Sequence, residues 1–143
     1  MHVAACSTDG TLRPAFDDIA TVAPAAGWRQ PAQVCRLAAR VARIRPDAIL
    51  ASLDTIAPAL VLAGLACTPR PRTVVRIAHH PGTLLAPSAD HRIYDAPAAR
   101  KLLASARAAY PLAHRVVALA DADARSAAAV YRLRPSQLLR IPN

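Results

Sequence analysis

The chain has 143 residues, 54% of them hydrophobic and only 3% aromatic, with a formal net charge of +9. That length holds one domain with a real core, and that apolar fraction excludes a disordered chain. Cys6, Cys35 and Cys67 form no CxxC pair and have no histidine at ligand spacing, which argues against a disulfide framework or a zinc site.

In chain order, residues 3–6 read as a strand followed by a polar turn over 7–10, and residues 19–22 as a second short strand. Met1 to Cys6 has neither a basic n-region nor a long apolar run, so a secretory signal is not expected. Pro24, Gly27 and Pro31 mark a loop that leads into a helix over 32–44, with Pro31 in its first turn. Val34, Leu37, Val41 and Ile44 fall on one face of that helix; Arg36, Arg40 and Arg43 fall on another. Pro46 ends it, because proline disfavours helix in the residue before it. A buried strand over 48–52 follows, then an apolar helix over 56–66, too short to span a bilayer and so read as core. A strand over 73–78 opens a loop rich in His, Pro and Gly that runs to about residue 96. A helix over 97–109, a strand over 115–119, a helix over 121–131, a turn at 134–136 and a strand over 138–141 complete the pattern. Strand–helix alternation at this spacing predicts right-handed crossovers and an α/β fold with a doubly wound parallel sheet. Ligands of such sheets sit beyond the carboxyl ends of the strands, so chemistry is expected in the loops after Ser52, Ala78 and Leu119.

The positive charge is almost all arginine, Lys101 being the one lysine. Solvated helix faces account for it, as does attraction to a membrane surface, a nucleic acid or a phosphate-bearing substrate. A nucleic-acid reading rests on a helix-turn-helix-like pattern over 124–141. It fails because the segment after Ser136 is too short for a recognition helix and no aromatic platform is present.

The segment "RIRPDAILAS" (43–52) resembles the "RPDVVHSH"-type strand entry of the family 4 glycosyltransferases, and "RTVVRIAHHPGTL" (72–84) resembles that family's "VVVSEHN" strand and histidine-bearing loop. "AHRVVALADADARSAAAVYRLRPSQLLRIPN" (113–143) is similar to its strand–helix–turn segment that closes on "IPN", and "HVAACSTDGTLR" (2–13) to its second strand. The resemblance covers nearly the whole chain and implies a Rossmann-like, acceptor-side lobe of a GT-B fold. By the same alignment the first βα unit and the nucleotide-binding donor lobe have no counterpart here.

What the resemblance implies is sugar transfer from a nucleotide-sugar to an acceptor hydroxyl, with retained configuration and without metal or other cofactor. The expected partners are the nucleotide-sugar, a glycan or lipid-linked acceptor, a donor lobe supplied in trans, and an anionic membrane surface met by the Arg36–Arg40–Arg43 stripe; no nucleic acid is expected. A cytoplasmic protein resting on the inner face of the membrane is the corresponding location. His79, aligned with the family's loop histidine, is the catalytic candidate, with loop packing as its bland alternative. His80, Gly82, Asp54 and Asp121 are the substrate-binding candidates. Asp54 reads as rim-facing or as an Asx-turn cap, Gly82 as a turn residue, and Asp121 as a helix cap or a substrate contact beside Ala120, where the family has serine. His91 and Arg92 read as solvated loop residues. A non-catalytic domain of the same fold is the alternative function; an epimerase-type enzyme is weaker because GxGxxG is missing.

Overall fold

The computed structural model describes residues 2–5, 21–24, 31–52, 54–85 and 96–142. Strands β1 (His2–Ala5) and β2 (Thr21–Pro24) pair in parallel. The second strand therefore lies two residues later than the 19–22 expected from the sequence. Pro24 is tolerated because it ends the strand, where its missing N–H costs little.

Helix α1 (Pro31–Ile44) leads to β3 (Ala48–Ala51), then α2 (Ala57–Leu65), β4 (Arg72–Arg76) and a 3₁₀ turn (Pro81–Leu85). Helix α3 (Ala96–Ala109), β5 (Arg115–Ala118), α4 (Asp121–Tyr131) and β6 (Leu138–Arg140) complete the order. Strands β3 to β6 form a four-stranded sheet in sequence order, every pair parallel. The result is an α/β protein with an all-parallel sheet and flanking helices, in keeping with a Rossmann-like doubly wound fold.

Local chemistry explains the boundaries. Arg45 takes a left-handed conformation (φ 49°) and returns its N–H to the Val41 carbonyl at 2.9 Å, closing α1 just before Pro46. Arg132 (φ 56°) ends α4 the same way.

Alternation along the strands turns Ala51, Val75, Ile77, Val116 and Ala118 onto one face, where Val61, Leu103, Ala106, Tyr110, Ala127 and Tyr131 cover them. Leu37 and Val41 of α1 pack with Ile49, Ala59, Ala63 and Cys67 beside this core, while Arg36, Arg40 and Arg43 are exposed. The opposite face keeps Leu50 and Leu139 exposed. Among the described residues no helix is long and apolar enough to cross a membrane.

Candidate functional site

Because the strands are parallel and in register, the segments that follow β3, β4 and β5 leave from the same edge. Asp54 opens the turn before α2 and is 2% exposed. It is not rim-facing, as its sequence position suggested, but lies beneath the rim with both oxygens occupied. Oδ1 accepts the Tyr110 hydroxyl at 3.1 Å, and Oδ2 lies 3.0 Å from His79 Nδ1. Tyr110 follows the last turn of α3 and is fully buried, so water cannot replace Asp54 as its acceptor.

A carboxylate accepts only, so His79 donates through Nδ1, and in the neutral form of the ring the lone pair is then on Nε2. His79 is part-exposed at the carboxyl edge of β4, and its bond to Asp54 selects the tautomer that carries Nδ1–H.

The next residue is held differently. His80 Nδ1 accepts the Gly82 N–H at 3.0 Å, and its Nε2 lies 4.0 Å from Asp123 Oδ1. A Cβ on Gly82 would stand 2.8 Å from the His80 ring, so only glycine lets that amide approach the imidazole this closely.

Asp121 does not cap α4. Ala120 is the N-cap, extended and without a side-chain bond, and Asp121 begins the helix proper. There it benefits from the helix dipole and pairs with Arg140 Nη1 at 3.1 Å, a surface contact between two exposed side chains. His79 with Asp54 and His80 with Gly82 are thus joined pairs on one edge, whereas Asp121 is engaged with β6. His91 and Arg92 lie outside the described residues.

Two participants were missed in the sequence. Tyr110 and Tyr131 stack edge to face, with centroids 5.0 Å apart and planes at 71°. A tyrosine at a helix end gives no sign in sequence that its hydroxyl meets a carboxylate 56 positions away. Burial pushes the Tyr131 phenol well above its ordinary range, and the negative charge of Asp54 adds to the shift.

The native state therefore holds this proton more tightly than the unfolded chain does. That contribution is complete below about pH 10 and falls by roughly 1.4 kcal/mol per pH unit above it, until the native group itself ionises. Urea unfolding from neutral to strongly alkaline pH should show this loss, and Tyr131→Phe should flatten it. An unchanged alkaline slope in the variant would mean that another group is responsible.

Among the described residues, no group of three or more His, Cys, Asp or Glu side chains is placed to hold a metal ion. Comparison with protein-family models, with curated proteins and with solved structures finds no match.

Proposed function

We propose that this chain is the acceptor-side lobe of a glycosyltransferase, with His79 meeting a sugar hydroxyl at the carboxyl edge of the sheet. The observation that carries this reading is the Asp54–His79 pair. A buried carboxylate that fixes Nδ1–H leaves the neighbouring ring nitrogen basic, the arrangement that lets an imidazole accept a proton from a hydroxyl. The edge position agrees with where parallel sheets bind ligands, and the sequence resemblance supplies the substrate class. Stabilising a departing nucleotide diphosphate needs several converging donors, and this reading assigns them to a donor lobe. His79 acts on the acceptor, Asp54 positions His79, and His80 with Gly82 shapes the adjoining rim.

Titration of the labelled protein with a panel of mono- and oligosaccharide acceptors, followed in ¹H–¹⁵N spectra, tests the proposal. Amides at 78–80 and 121–123 should shift together, and His79→Ala should weaken binding by about tenfold, the cost of losing one good hydrogen bond to a charged or strongly polarised group. Retention of full affinity by His79→Ala, or shifts confined to other surfaces, would overturn it.

A further inference from the structure

At the opposite, amino-terminal edge of the sheet lies a cleft of about 340 Å³, entered from the segments before β4, β5 and β6. Strands of this length put it roughly 15 Å from the Asp54–His79 edge. Arg70, Arg115 and Arg134 line it together with His114, Ser136 and Gln137. We propose that this cleft is an anion site for a phosphomonoester.

The case begins at its floor. Gln137 is 3% exposed, a rare state for an amide side chain, and both ends of its amide are bonded within the protein. Its Nε2 donates to the carbonyls of Pro111 and Ala113, both at 2.8 Å, and its Oε1 accepts from Arg134 through both the backbone N–H (3.3 Å) and Nε (3.2 Å). The buried amide thereby sets the plane of the Arg134 guanidinium and leaves the terminal nitrogens as its outward donors. Arg115 is held by its Nη1 to the His114 carbonyl at 2.9 Å. His114 Nδ1 accepts the Thr73 N–H at 3.0 Å, which puts the hydrogen of the neutral ring on Nε2 and makes it a donor too. Ser136 adds a hydroxyl.

Among the described residues no carboxylate lies within ion-pair distance of Arg70, Arg115 or Arg134, although Arg140 has found Asp121. Three arginines lining one cleft, with no carboxylate partner among the described residues, match the charge and the fork geometry of a phosphate dianion better than those of a monovalent carboxylate. Two of the three are already oriented by the protein, which lowers the cost of ordering them on binding.

A phosphomonoester is presented both by a soluble metabolite and by the headgroup of phosphatidic acid, and two probes separate these sources. Inorganic phosphate, titrated at fixed ionic strength with chloride as compensation, should shift the amides of 112–115 and 134–137. Arg70→Gln with Arg115→Gln should weaken this binding at least about tenfold. Arg100→Gln with Lys101→Gln, both exposed on α3, removes the same net charge elsewhere and should leave it intact; thermal unfolding verifies that both double variants fold. Co-sedimentation with phosphatidylcholine vesicles carrying phosphatidic acid, lost only in the cleft variant, assigns the lipid headgroup. Phosphate binding without such co-sedimentation assigns a soluble ligand. If neither probe distinguishes the two double variants, the arginines act only as diffuse surface charge and the site is refuted.

Discussion

Asp54→Ala is expected to lower the free energy of unfolding by about 3 kcal/mol, read as a fall in the urea midpoint. The loss centres on Tyr110. Its hydroxyl is fully buried and donates to Asp54 Oδ1, so removing the carboxylate deletes an acceptor that water cannot replace. His79 is part-exposed and recovers its lost bond from solvent, so it contributes less. The carboxylate's own desolvation opposes both terms and keeps the net effect below their sum. Tyr110→Phe separates the parts, because it removes the donor while leaving Asp54 with His79. The double variant should then be little worse than Asp54→Ala alone, giving a coupling energy of about 1 kcal/mol or more. Strictly additive losses would contradict the hydrogen bond. Asp54→Ala should also release the His79 tautomer, visible as mixed protonation of Nδ1 and Nε2 in ¹⁵N spectra, whereas Tyr110→Phe should leave that tautomer fixed.

The scaffold was largely legible because its signals are local. Apolar spacing at Leu37, Val41 and Ile44, with proline at 31 and 46, sets α1 without reference to the rest of the chain. The alternation of β-branched runs with Ala-rich helices sets the order of elements, and the parallel sheet then places the ends of β3, β4 and β5 at one edge. The burial of Asp54 was not legible in this way. A carboxylate just past a strand reads as a solvated rim residue, since burying a charge is costly unless it is paired. The partners that permit it stand 25 and 56 positions away, at His79 and Tyr110. Residue type misled at Asp121 as well: aspartate is a good N-cap, yet the extended backbone at Ala120 makes Asp121 the first helical residue, where Arg140 from β6 meets it. Gln137 falls between the turn at 134–136 and the strand expected from 138, where nothing in the sequence marks it, although its buried amide organises the amino-edge cleft. In each case the decisive contact is long-range or depends on a single backbone angle, and neither leaves a periodic trace in sequence.

Gly64→Val should destabilise the protein by about 3 kcal/mol, and Gly64→Ala by about 1 kcal/mol, although alanine is the better helix former by a similar amount. Gly64 lies in the last turn of α2 where the helix meets the sheet. A Cβ there would stand 2.9 Å from Thr73 Cγ2 and 3.3 Å from Ile49 Cδ1. Ile49 presents the end of a flexible side chain and can yield, but Thr73 cannot. Its N–H donates to His114 Nδ1 at 3.0 Å, its Oγ1 lies 3.3 Å from the same nitrogen, and it is 3% exposed. Rotating the methyl away would swing the hydroxyl out of that contact, so the strain passes to α2, which must lift from the sheet. Valine adds two further methyl groups to the same gap. Thr73→Ser supplies the control, because it deletes Cγ2 and keeps the hydroxyl for His114. Combined with Gly64→Ala it should recover most of the stability lost by the alanine, relative to Thr73→Ser alone. Since α2 begins directly after the Asp54 turn, lifting it should also displace Asp54 and shift the His79 ring resonances in Gly64→Val. A Gly64→Ala loss that Thr73→Ser leaves untouched would show that the helix is not held to the sheet by this contact.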